Sequence, residues 1–170
     1  MGEIDFTNII IDDFRKGKMN PFNKYIYILT HIHTDHLRGL SNTWSYGPIY
    51  CSQITASLIL NKFPKLQSYL KILPIEQPQK ITLAENIIAT VTFFDANHCA
   101  GAVMVLLEGY FGRFLYTGDF RFDRKKFSNY TYLYPPENSN DKFEGCSRQI
   151  DKLWLDNTFC NPRFKFMAQK

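Results

Sequence analysis

The chain has no apolar run long enough to cross a bilayer. The longest, Ala102 to Leu107, is six residues, against about 20 for a spanning helix. No secretory leader is visible, because the first residues are polar and acidic. Met1-Gly2 offers the glycine of a myristoylation signal, but Phe6 stands where Ser or Thr is required. Cysteine is sparse and unpatterned. Cys51, Cys99, Cys146 and Cys160 form no C-x-x-C pair, which reads as scattered buried thiols in a reducing compartment rather than a disulfide framework. Excess charge is also small: 20 Lys and Arg against 16 Asp and Glu leave a formal +4, a mild lean toward anionic partners. There is no internal repeat. What the chain does have is apolar content, 45% with 16% aromatic over 170 residues. That implies one globular domain with its own core, neither a disordered chain nor two domains.

Histidine is rare as well, four in all, and its distribution is the informative feature. Three fall within His31-Ile-His-Thr-Asp-His36, an H-x-H-x-D-H cluster directly after the apolar run Tyr25 to Leu29. A chance histidine-rich surface loop would need neither that spacing nor that position. Residues i and i+2 of an extended segment point to the same side. His31 and His33 can therefore close on one ion while Asp35 and His36 turn toward a second. Imidazole nitrogen with carboxylate oxygen, and no thiolate, suits a catalytic zinc centre better than a structural one. The fourth, His98, closes Asp95-Ala-Asn-His98 after another apolar run. Alone it reads as a core histidine; beside the cluster it becomes a third neutral donor for the first ion. Asp119 follows Gly118 at the end of a hairpin arm. A turn residue by default, it is also the short, rigidly held carboxylate that bridging two cations requires.

Read in order, the pattern predicts mixed α/β structure. Phe6 to Ile11 is a buried strand ending in Asp12-Asp13, 15–23 is a turn or loop, and Tyr25 to Leu29 is the strand that delivers the metal loop. Leu37, Arg38 and Leu40 open a short helix behind it. Ile49 to Cys51 is a brief strand, and Ser52 caps a helix through Ile54, Leu58, Ile59 and Phe63 that stops at Pro64. Lys65 to Leu70 adds a second short helix, and Lys71 to Ile75 and Ile81 to Leu83 are weaker strands. Ile87 to Phe94 is a strand; Ala102 to Leu107 and Phe114 to Thr117 flank a hairpin loop of five residues, Glu108 to Gly112. Arg121, Arg124, Lys125 and Lys126 oppose a single Asp123, a basic patch that reads as phosphate contacts or as an ordinary solvated face. Ser128 to Gln149 is a polar surface loop, and Lys152 to Leu155 is a last strand ending in Asp156. Several strands end in ligand-type residues, which places a site along one sheet rim.

The elements H-I-H-T-D-H, D-A-N-H-C-A-G, E-G-Y-F-G-R-F-L-Y-T-G-D-F-R and L-D-N-T-F-C-N-P together resemble the metallo-β-lactamase/β-CASP DNA nucleases, and within them the Apollo and Artemis group. The first element marks only the broad hydrolase superfamily; T-G-D-F-R and L-D-x-T-x-C-x-P narrow it. The likeness runs from Ile9 to Pro162. It implies a metallo-β-lactamase-like αββα layered sandwich of the α/β class, here an N-terminal portion without the β-CASP region or a later histidine of the second metal site. Position by position, it implies His31, His33 and His98 on a first Zn2+ ion, Asp35 and His36 on a second, and Asp119 bridging, with one or two ions held. Asp12 matches the family's first motif aspartate, a support that orients the metal loop, with Asp13 as the register alternative. Asp156 matches the acidic residue that opens the β-CASP portion, in site support or proton handling. Asp12, Asp35, Asp119 and Asp156 are thus the candidate catalytic carboxylates. Ala100 and Ala102 stand where the group has Pro and Ser, and Gln53 where it has Pro; these departures remove no ligand.

The resemblance implies zinc-dependent hydrolysis of DNA phosphodiesters from a 5′ end. The partner is DNA, as single strands or 5′ ends, with no membrane. The setting is interstrand crosslink repair or telomere-end processing in the nucleus. Two other readings stand beside it: an RNA-processing or other hydrolase of the superfamily, and a truncated fragment without catalysis.

Overall fold

The computed structural model describes residues 2–15, 24–83, 86–130, 132–133, 149–161 and 163–164. Positions 16–23 of the turn predicted over 15–23, positions 134–148 of the polar segment with Cys146, and the tail from 165 lie outside these residues.

Among the described residues the strands form two five-stranded sheets. The first sets β1 (Gly2–Glu3), β2 (Ile9–Ile11), β3 (Ile26–Ile28), β4 (Ile49–Cys51) and β5 (Leu70–Ile72) side by side in chain order. Strands β2 to β5 run parallel and β1 antiparallel. The second holds β6 (Gln79–Thr82), β7 (Ile88–Asp95), β8 (Val103–Gly109), β9 (Gly112–Tyr116) and β10 (Lys152–Trp154) in the order β10-β9-β8-β7-β6. It is antiparallel except where β10 pairs with β9.

Period-two alternation decides what each strand buries. Ile9, Ile11, Ile26 and Ile28 from the first sheet meet Val91, Phe93, Val103, Val105 and Leu107 from the second in one core. Between them in sequence, Ile10 and Tyr27 face the other way, onto the far side of the first sheet. There α1 (Gln53–Lys62) adds Ala56 and Ile59. Ser52 caps α1, its side chain accepting the Thr55 N–H. On the outer face of the second sheet, Phe94, Met104 and Leu106 pack under Phe127, the last residue of the one-turn helix α2 (Arg124–Phe127), and under Tyr130 just after it. Each fully buried Ile, Leu or Phe contributes about 1.5–3 kcal/mol through loss of apolar surface from water. The sheets therefore hold each other, and their rims are fixed relative to one another.

Local departures from the sequence reading have plain causes. The strand expected from Phe6 begins at Ile9, because Phe6 adopts a left-handed φ of 61° in a turn. The helix expected from Leu37 is a 3-10 turn that starts three residues earlier, Thr34–Leu37, and the helix expected after Pro64 is another, Pro64–Leu66. The hairpin loop is two residues, Tyr110-Phe111, rather than five, because Glu108 pairs with Arg113 and Gly109 with Gly112. A 3.0 Å ion pair from Arg113 Nε to Glu108 Oε1 reinforces that register. Thiols are not uniformly buried: Cys51 is buried, Cys99 half-buried and Cys160 exposed, all unpaired.

Candidate metal centre

Four strands deliver side chains to one rim at their carboxyl ends: β2 leads into Asp12, β3 into His31, β7 into His98 and β9 into Asp119. Parallel pairing of β2 with β3 puts the first two exits on the same side. In the second sheet β8 runs against both β7 and β9, so those two strands share a direction. A hydrogen bond from Val103 N–H to the Thr30 carbonyl, 3.1 Å, joins the rims of the two sheets at this point.

The metal loop is anchored from below by apolar side chains. Leu37 and Leu40 sink into the core with Phe14, Tyr27 and Trp44, and the Phe14 N–H donates to the Arg38 carbonyl at 2.9 Å. The loop after β7 is held by α1. Both Ser52 Oγ (2.7 Å) and Thr55 Oγ1 (2.9 Å) donate to the Gly101 carbonyl. Gly101 has a φ of +81°, and a Cβ there would lie 2.8 Å from Thr55 N, so the close approach demands glycine.

Above these supports, His31, His33, His98 and Asp119 bring one ligand atom each within 4.8 Å of one another. His31 Nε2 and His98 Nε2 lie 3.0 and 3.1 Å from His33 Nδ1. Asp119 Oδ2 is 3.8 Å from His31 Nε2 and 3.5 Å from His98 Nε2. The second carboxylate oxygen, Oδ1, is 3.3 Å from His36 Nε2, and Asp35 Oδ2 is 3.6 Å from the same nitrogen. Asp119 thus faces both groups of donors. His36 is anchored from behind, its Nδ1 2.8 Å from Asp12 Oδ2. Asp12 is 1% exposed with a left-handed φ of 54°, a conformation that aspartate tolerates and that costs on the order of 1 kcal/mol or more. Asp13, the alternative, points elsewhere, to a 2.8 Å ion pair with Arg15.

The electrostatics match the geometry. Burial, then the neighbouring His36, His33 and His98, push the His31 pKa down to about 3, so the ring is a neutral donor. Burial also lowers His98. Burial alone would lower His36, but its hydrogen bond to Asp12 and the charges of Asp12, Asp119 and Asp35 outweigh it and raise the pKa. His36 Nε2 is nevertheless buried without a hydrogen bond among the described residues. In the neutral ring, with Nδ1–H directed at Asp12, Nε2 turns a lone pair toward two carboxylates, an arrangement that calls for a cation there, a proton or a metal ion. Neutral imidazoles, carboxylate oxygens and this orphaned nitrogen suit a first-row transition ion.

The remaining expected residues sit around this centre. Asp156 accepts from Thr158 N–H (3.0 Å) and Oγ1 (2.6 Å), while its own N–H donates to Thr117 Oγ1 at 2.9 Å, two residues before Asp119. Its carboxylate is thus engaged in a local turn. Burial, followed by the charges of Asp12, Asp119 and Asp156, keeps the Tyr116 phenol protonated. In the basic patch, Arg121 borders the His98 loop: its N–H donates to the Ala96 carbonyl and its carbonyl accepts Asn97 Nδ2. Arg124 and Lys125 are exposed. Lys126 instead forms a 3.0 Å ion pair with Asp95, which the linear charge pattern did not reveal. Sequence reasoning also passed over Thr30, whose one signal is a hydroxyl immediately before the first histidine.

No family model matches the chain. Among curated proteins, the 5′ exonuclease Apollo of Rattus norvegicus is 42% identical over 139 residues, covering 81% of this chain and 23% of that protein. The DNA cross-link repair protein SNM1 of Arabidopsis thaliana is 36% identical over 167 residues, 96% of this chain and 30% of its own length. Over most of its own length the chain is thus similar to the Apollo and SNM1 proteins. A third of them, DNA cross-link repair protein pso2/snm1 of Schizosaccharomyces pombe, is 32% identical over 163 residues, covering 94% of this chain and 26% of its own. The chain spans between 11% and 30% of the length of the curated relatives it matches. These relatives are named for 5′ exonuclease action and DNA cross-link repair.

Proposed function

We propose that the chain is the metal-binding part of a metallo-β-lactamase-like nuclease that hydrolyses DNA phosphodiesters from a 5′ end, in interstrand crosslink repair or telomere-end processing in the nucleus. The observation that carries this reading is the convergence of three imidazoles and one carboxylate within 4.8 Å, beside the lone-pair nitrogen of His36. His31, His33, His98 and Asp119 would hold one zinc ion; Asp35, His36 and the other oxygen of Asp119 would contribute to a second. Zinc supplies Lewis acidity toward a phosphoryl oxygen and makes water acidic enough to ionise near neutral pH. Around it, Asp12 holds the His36 ring in one orientation, and Arg121 at the rim can take phosphate charge. Asp156 supports the Thr117–Asp119 turn through Thr117.

On this reading the two sheets belong to an αββα sandwich of which the chain is the N-terminal portion. Exposed Leu153 in β10, the edge strand, and Leu155 just after it support further polypeptide packing there, since exposed apolar surface on an edge strand marks an interaction face. The isolated 170-residue chain is then expected to turn over slowly, because among its described residues the second ion meets only Asp35, His36 and Asp119. The test is digestion of 3′-labelled single-stranded DNA bearing a 5′-phosphate or 5′-hydroxyl, with RNA and a thioester as controls and zinc content measured in parallel. Zinc-dependent 5′ shortening of DNA supports the proposal; cleavage of RNA or thioester alone, or a chain that takes up no zinc, would sink it.

A further inference from the structure

One residue outside the ligand pattern, at the exit of β3, meets the exit of β2, the strand that follows the His98 loop and the turn before Asp119. Thr30 is 1% exposed. Its N–H donates to Asp12 Oδ1 at 2.8 Å, and its hydroxyl donates to Asp12 Oδ2 at 2.6 Å. The same hydroxyl oxygen lies 3.0 Å from His31 Nδ1. The Thr30 carbonyl accepts the Val103 N–H at 3.1 Å, which ties β3's exit to the strand that follows the His98 loop. Its Cβ, Cγ2 and Oγ1 lie beneath Gly118, where an added Cβ would stand 3.3 Å from each, and Asp119 is the next residue.

A hydroxyl carries one hydrogen. Here that hydrogen goes to a carboxylate that can only accept, so toward His31 the oxygen acts as an acceptor. A neutral imidazole has one N–H and one lone-pair nitrogen. If His31 carried its hydrogen on Nε2, then Nδ1 and Thr30 Oγ1 would face each other as two buried acceptors 3.0 Å apart, an arrangement that costs an unsatisfied pair. We propose that Thr30 is a positioning residue of the centre: it holds His31 as the Nδ1–H tautomer, so that the Nε2 lone pair enters the pocket, and it sets the gap between the two sheet rims. The use of that lone pair rests on the metal-centre reading; the tautomer itself is a property of the chain and is read without metal.

The experiment records long-range 1H–15N correlation spectra of the imidazoles in the 15N-labelled, metal-free full chain at neutral pH. A zinc titration against a chelating dye follows for the unaltered chain, Thr30→Ser and Thr30→Val. His31 is expected as Nδ1–H in the unaltered chain and in Thr30→Ser. In Thr30→Val the ring moves toward Nε2–H, and zinc affinity falls about 10–100-fold, the usual effect of losing a partner that orients a ligand. A His31 found as Nε2–H in the unaltered chain overturns the proposal, even if Thr30→Val does not fold. So does a folded Thr30→Val that keeps both the tautomer and the affinity. An unaltered chain with Nδ1–H that takes up no zinc overturns the metal-centre reading instead, and leaves the tautomer assignment standing.

Discussion

Asp12 is the residue on which the buried polar network closes. It accepts from Thr30 N–H, from the Thr30 hydroxyl and from His36 Nδ1–H, and alanine would leave three buried donors with no partner. At about 1–3 kcal/mol each, Asp12→Ala is expected to lower the unfolding free energy of the metal-free chain by about 3 kcal/mol or more, read from urea denaturation. His33 differs, because it is exposed and supports little packing. His33→Ala should shift stability by no more than about 0.5 kcal/mol while lowering bound zinc, as measured by elemental analysis. Equal zinc content in the variant and the parent would remove His33 from the ligand set.

The histidines also give the metal-free chain a pH dependence whose sign can be worked out. His31 titrates near 3 when folded, through burial and its histidine neighbours, against 6.5 ordinarily. Between those values the unfolded chain binds more protons, so the contribution of His31 is fully present above about 6.5 and drains away as pH falls toward 3. His98 shifts in the same direction through burial. His36, raised by Asp12 against its burial, works the other way and offsets part of the loss. With two lowered groups against one raised, the metal-free chain should melt at a lower temperature at pH 5 than at pH 7.5. A melting point that stays level or rises on acidification would contradict this.

Among elements, the contact between the start of α1 and the His98 loop separates support from ligation. Ser52→Ala removes the cap on Thr55 N–H and one of two donors to the Gly101 carbonyl. It should cost about 1 kcal/mol and leave zinc binding unchanged, because Thr55 Oγ1 still holds the loop. Gly101→Ala forces a side chain into a left-handed turn and within 2.8 Å of Thr55 N. A loss greater than about 1 kcal/mol is expected, with weaker zinc binding as His98, three residues earlier, is displaced. Chemical denaturation together with zinc titration of the two variants distinguishes the cases; equal zinc affinity in both would show that the loop does not position His98.

In the molecule as a whole, the centre lies where two sheets meet rim to rim. A cation held by His31 and His33 from one sheet and by His98 and Asp119 from the other would therefore link them. Binding to the folded state alone stabilises it, by about 2.7 kcal/mol when free metal is 100 times the dissociation constant. Zinc should accordingly raise the melting temperature of the chain and a chelator should reverse the rise. A melting curve indifferent to zinc would mean that the cluster does not join the sheets through an ion.

How much of this was legible in the chain depended on the distance over which each signal acts. The spacing of His31, His33, Asp35 and His36 after an apolar strand is local, and so were the cap at Ser52, the alternation in Ile88–Asp95 and the strand exits at Asp12, His98 and Asp119. Those follow from side-chain direction along an extended backbone and from hydrogen bonds a few residues apart. The two-residue hairpin turn was missed because cross-strand pairing of Glu108 with Arg113, rather than the glycines, sets it. Lys126 with Asp95, Thr30 between Asp12 and His31, and the approach of Gly101 to Thr55 join positions between one and 46 residues apart. The sequence by itself determined which side chains could act as donors and that they leave strands at their ends. Only the packing of one sheet on the other decided that those ends share a rim, since burial of apolar faces, and not the ligands' own chemistry, brings the two sheets together.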